Sequence, residues 1–156
     1  MSSITAAPAK TLKHPYALPG HLSPELARVH AYWRGLLRGA AEMPFWDDAK
    51  LTDLPDLADR LFLIDVLSPP ERFRFASLGK ALTAEELAGR FLDEIRPASP
   101  FAFLASQAAA TTESAQPTYF RAESEPTADL GGYARLLLPM WGEGKISMIL
   151  GAVDFG

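Results

Sequence analysis

The stretch Tyr133-Ala134-Arg135-Leu136-Leu137-Leu138-Pro139-Met140-Trp141-Gly142-Glu143-Gly144-Lys145-Ile146-Ser147-Met148-Ile149-Leu150-Gly151-Ala152-Val153-Asp154-Phe155 decides how the rest of the chain is read. Two apolar runs flank the short break Trp141 to Gly144, which is the pattern of an antiparallel hairpin. On the second run Ile146, Met148, Leu150 and Ala152 share one face, and Ile149, Val153 and Phe155 share the other. A strand that is apolar on both faces must be covered on both faces. The expectation is a sheet with helices on one side and a further layer on the other.

Working outward, 156 residues make one domain with a sizeable core. Hydrophobic residues are 48% and charged residues 22%, as in an ordinary globular protein. The net charge of −4 argues against a general nucleic-acid binder, which needs a basic excess. The chain contains no cysteine, so it has no disulfide, no thiolate nucleophile and no cysteine metal site. Residues 1–20 carry Pro8, Pro15 and Pro19 without periodicity and read as a flexible leader with no signal-peptide core. His14 and His21 lack the spacing of metal ligands. No run approaches the ~20 apolar residues of a membrane helix, so a cytoplasmic protein is expected.

Ser23-Pro24-Glu25 has the form of a helix start, with serine at the N-cap and proline in the first turn. Leu26, Val29, Trp33, Leu36 and Leu37 recur at helical spacing, and Gly39 closes the helix. This amphipathic helix can cover the outer sheet face, pair with a second copy through Leu26, Val29, Trp33 and Leu37, or both. His30 lies beside the stripe. Asp47, Asp48, Asp53, Asp56 and Asp59 follow, but their spacing does not match a calcium loop; caps and solvated faces are the expected roles.

Leu61 to Leu67 is a strand, Ser68-Pro69-Pro70-Glu71 a turn, and Phe73 to Ser77 the returning strand. Asp65 interrupts the first strand and is expected to pair with Arg72 or Arg74. Thr83 with Glu86 reads as a capping box for a short helix ending at Gly89, and Phe91 to Ile95 as another short piece. Ser99-Pro100 repeats the helix-start signature. It predicts a longer helix to about Ser114, with Phe101, Leu104, Ala105 and Ala108 as its apolar stripe. Pro117 to Ala122 is a third strand, and Glu123 to Gly132 a loop into the hairpin. This order favours an α+β fold with an antiparallel sheet.

The ordered series Ala31-Tyr32-Trp33, Met43-Pro44, Leu54-Pro55-Asp56-Leu57, Leu61 to Val66, Phe73-Arg74-Phe75, Leu78-Gly79, Gly89 to Glu94 and Leu136 to Met140 resembles a PAS domain. Specifically it resembles the alphaproteobacterial PAS family of small stand-alone proteins, over roughly His30 to Phe155. The resemblance implies a five-stranded antiparallel sheet with short helices on one face, an N-terminal amphipathic helix, and a single PAS-like domain over residues 21–156. It implies a bacterial sensory module in signal transduction rather than an enzyme, acting as a homodimer or through a signalling partner protein. Nothing after Phe155 reads as an effector. Its cofactor stays unknown. A flavin photosensor of the LOV type and a coumaroyl chromophore both need a cysteine. A haem sensor of this family uses a histidine near the long helix, and none occurs after His30. A small apolar or acidic metabolite remains, lined by Phe75, Phe101, Leu104, Tyr119, Leu137 and Met148, with Arg135 as a handle for an acid. The competing reading is a small α+β enzyme of the cone-shaped isomerase and dehydratase type, with Asp65 or His30 as base.

Overall fold

A computed structural model describes residues 16–95, 100–123 and 132–155. Its centre is one five-stranded, fully antiparallel sheet of order β2-β1-β5-β4-β3. The strands are β1 (Leu61–Leu67), β2 (Arg72–Leu78), β3 (Thr118–Ala122), β4 (Tyr133–Gly142) and β5 (Lys145–Asp154). Two α-helices are described, α1 (Pro24–Gly35) and α2 (Leu104–Ser114), with short 3-10 turns between. The architecture is α+β. The leader up to residue 15, Ser99 and most of the loop after Glu123 lie outside the described residues.

The hairpin that organises the sequence is β4–β5. Its turn is shorter than the expected break: Trp141 and Gly142 belong to β4, and only Glu143 and Gly144 turn. Both have positive φ, 54° and 79°, the geometry of a two-residue turn whose twist matches the strands. Pro139 sits beyond the last β3 partner, Leu137, where β4 has lost that neighbour and a missing N–H is tolerated.

Each sheet face carries its own core. Phe62, Ile64, Phe75, Leu137, Ile149 and Val153 face α2 and the segment between β2 and α2, with Leu87, Leu92, Phe101, Leu104 and Ala108 over them. On the opposite face Leu61, Leu136, Leu138, Met140, Leu150 and Ala152 pack under Leu26, Val29 and Trp33 of α1. The two-sided apolarity of the last strand therefore has its two covering layers. One assignment changes. Met140 pairs with Met148 but Trp141 pairs with Ile146, so Ser147 is a bulge residue. The extra residue reverses the alternation, and Ile146 packs with the α2-side core, not with Met148.

Gly151 permits the closest approach in the sheet. Its cross-strand partner is Phe62, and a Cβ at this position would lie 2.2 Å from the Phe62 ring. Outer strand β2 is shielded by the chain that follows it. Phe75 N–H donates to Arg90 O at 3.0 Å, and Gly89 N–H donates to Phe75 O at 2.7 Å.

Helix boundaries depart from expectation in three places. Ser23 caps α1, its Oγ accepting from Leu26 N–H at 3.4 Å, but the helix ends at Gly35, four residues before Gly39. Leu37 is thus beyond the helix. Thr83 to Ala88 is not a helix; Thr83 Oγ1 accepts from Glu85 N–H at 3.0 Å in a local turn, the structure with which threonine competes against a helix start. Finally, α2 starts at Leu104, not near Ser99. Its N-cap Phe103 has φ 58° and no side-chain cap bond.

Candidate functional site

The site is built where α2 crosses β3 and β4. The buried stripe of α2 is Leu104, Gln107, Ala108 and Thr111, not the all-apolar stripe expected from sequence; Ala105 is exposed. Two polar residues share this face at i, i+4 spacing, and they meet polar groups of the sheet. Gln107 Nε2 donates to Thr118 Oγ1 at 3.0 Å, and Thr111 Oγ1 lies 2.7 Å from the same hydroxyl. Thr111 Oγ1 also donates to Gln107 O at 2.8 Å.

Arg135 completes the network. It points from β4 into the α2-side core and is 0% exposed. Its Nε donates to Gln107 Oε1 at 2.8 Å, Nη1 to Pro100 O at 2.8 Å, and Nη2 to Ala102 O at 2.9 Å. The Phe120 ring lies 4.7 Å from the guanidinium carbon, a cation–π contact. Among the described residues no carboxylate stands within ion-pair distance of Arg135. Burial pulls its pKa down to about 10, because the charged form loses hydration that neutral acceptors only partly replace.

The turn that Arg135 holds also borders a cavity of about 360 Å³, which Arg135 itself does not line. Leu92, Ile95, Phe101 and Leu104 give it apolar walls, and Ala102 joins them from the turn that Arg135 holds. The expected lining divides between the two faces. Phe101 and Leu104 line the cavity; Phe75 and Leu137 are fully buried behind it, Phe75 with its ring 5.2 Å from that of Phe101. Tyr119 and Met148 pack on the α1 face and do not belong with these residues. Strand alternation puts Tyr119 opposite Leu136, and the sequence has no feature that shows which face a ligand occupies.

The expected dimer residues are also placed. Leu26, Val29 and Trp33 are buried against their own sheet, and Trp33 Nε1 donates to Pro139 O at 2.9 Å. Leu37 is half-buried in the loop beyond α1.

The remaining polar candidates are held in local pairs. Asp65 Oδ2 accepts from Arg74 Nε and Nη2 at 3.1 and 2.9 Å, the cross-strand pair expected from register. His30 stacks on Trp33, and burial together with Arg34 lowers its pKa. Asp56 binds Arg28, Asp48 binds Arg38, Asp47 binds Lys50, and Asp53 accepts from Tyr32. Among the described residues no group of three or more acidic or histidine side chains is arranged for a metal, and no helix is long and apolar enough to cross a membrane.

Comparison with family models, with curated proteins and with solved structures gave no match to this chain.

Proposed function

We propose that the protein is a PAS-like sensory module that binds a small apolar or acidic molecule in the α2-side cavity and passes its state on through protein contacts. The observation that carries this reading is the buried Arg135 guanidinium, without a carboxylate among the described residues, holding the carbonyl of Ala102, a residue of an apolar cavity's wall. An uncompensated buried charge costs on the order of several kcal/mol, so a core built for stability alone does better with an apolar side chain. Polar groups retained in such a position point to binding.

The architecture supports the family reading. Its support is one five-stranded sheet, short helical pieces on one face with a cavity among them, and a preceding helix on the other face. Signal output then falls to exposed groups. Trp46, Trp141 and Phe103 are large, exposed and suited to partner contacts. A homodimer through α1 would use the outward side of that helix, since its apolar stripe is occupied. Against the enzyme reading stands the pairing of Asp65, on whose Oδ2 both Arg74 donors converge.

Native followed by denaturing mass spectrometry of the purified chain tests the proposal. A mass excess that disappears on denaturation is expected. A bare mass, together with no stabilisation by apolar alcohols or acids, contradicts it.

A further inference from the structure

The Pro100–Phe103 turn is held in an unusual way. Arg135 donates to two of its carbonyls, Pro100 O and Ala102 O, from the two terminal nitrogens of one guanidinium. These are neutral acceptors for a cationic donor. The next residue, Phe103, has φ 58°, a left-handed conformation uncommon for a residue with a Cβ and stable only when its surroundings impose it. Phe103 is 65% exposed, and its ring lies 5.8 Å from Phe120, the ring stacked on Arg135. The turn therefore joins a buried cation to an exposed aromatic side chain. Ala102 also belongs to the cavity wall. A molecule filling that cavity lies beside Ala102, the residue whose carbonyl the guanidinium holds.

We propose that Arg135 is an exchange latch: a ligand carboxylate entering the cavity replaces the Pro100 and Ala102 carbonyls on the guanidinium and releases the turn that carries Phe103. This rests on the sensory reading above and adds to it the ligand class, an apolar-tailed carboxylate, and the step that relays occupancy. The chemistry favours the exchange. A guanidinium and a carboxylate form two parallel charge-assisted bonds, each roughly twice as strong as one to a neutral acceptor. The exchange also supplies the counter-charge that Arg135 lacks among the described residues. Among the described residues, the bonds to Gln107, Pro100 and Ala102 use three of the five guanidinium N–H groups. Gln107 can therefore keep its bond to Nε while the outer two nitrogens change partners. Once released, the turn keeps its bonds to α2, Leu104 N–H to Phe101 O and Gln107 N–H to Phe103 O. Movement is thereby confined to the few residues before the helix.

The test is a nitrogen-labelled NMR titration of the full chain with octanoate and, separately, with 1-octanol at neutral pH. The two share a tail and differ in the head group. Octanoate is expected to bind at least about tenfold more tightly and to shift Arg135 Nε–H and the amides of Ala102 to Leu104. Octanol is expected to fill the cavity and leave Arg135 unmoved. Arg135→Gln is expected to abolish the preference for octanoate. If that variant fails to fold, the comparison of the two probes on the wild-type chain decides. Equal binding of both, or octanoate binding without a shift at Arg135 and residues 102–104, overturns the latch and leaves the cavity reading standing. Binding of neither overturns both.

Discussion

Trp33→Ala offers the sharpest test of how the sheet is covered. The Trp33 side chain is 4% exposed and sits in the α1-side core with Leu136, Leu138 and Met140. Truncating a buried tryptophan to alanine costs roughly 3–5 kcal/mol through lost burial and the cavity left behind. Its indole N–H is also the donor to Pro139 O at 2.9 Å. Losing a donor to a buried carbonyl adds about 1–3 kcal/mol where water cannot replace it. Trp33→Phe separates the two: it keeps most of the ring volume and loses the hydrogen bond, so its cost should be the smaller. Urea unfolding gives each value as a shift in midpoint at constant slope. The measurement is repeated across a wide range of protein concentration, with mass by light scattering. A loss independent of concentration means that Trp33 stabilises its own chain. A Trp33→Ala loss under about 1 kcal/mol, or one that grows on dilution, refutes the packing argument and returns Trp33 to an interface between copies.

Three further outcomes follow from the same packing. Gly151→Ala places a methyl 2.2 Å from the Phe62 ring, and the overpacking should cost about 1–3 kcal/mol in urea unfolding; a neutral effect would mean that the ring moves freely. Thr111→Val keeps the shape but removes the hydroxyl shared with Thr118 and Gln107 O; roughly 1–3 kcal/mol should be lost, and an unchanged midpoint would show that the network contributes nothing. His30 has a lowered pKa in the fold, so the unfolded chain binds the extra proton first as pH falls below the ordinary histidine value. Its contribution is present at neutral pH and is lost on acidification from about 6.5. His30→Gln should flatten that part of the stability–pH curve, and identical curves would discount the burial of the ring.

Much of this was legible in the residues, for specific reasons. The strands β1, β4 and β5 are long apolar runs bounded by turn residues, and the doubly apolar β5 announces two covering layers. Ser23-Pro24 marks a helix start because serine and proline satisfy the same local geometry whatever the tertiary context. The Asp65–Arg74 pair follows from the register of a short hairpin.

What stayed hidden depends on non-local structure. Ser147 becomes a bulge only when β5 is laid against β4, so the displacement of Ile146 has no local sign. Ser99-Pro100 has the composition of a helix start, yet Arg135 holds the carbonyls of Pro100 and Ala102, and α2 begins only after them. Gln107 and Thr111 are polar types that carry no local mark of burial. Helical spacing puts them on one face with Leu104 and Ala108. Arg135 was identifiable as a charge inside an apolar strand, but its acceptors lie 28 to 35 residues away along the chain.

Intermolecular NOEs between octanoate and the methyl-labelled protein test most directly whether the cavity bordered by Ala102 holds a ligand. NOEs from the octanoate tail to Leu92, Ile95 and Leu104 are expected. NOEs confined to Met43 and Ile146 in the groove by the β4–β5 turn, or none at all, would contradict it.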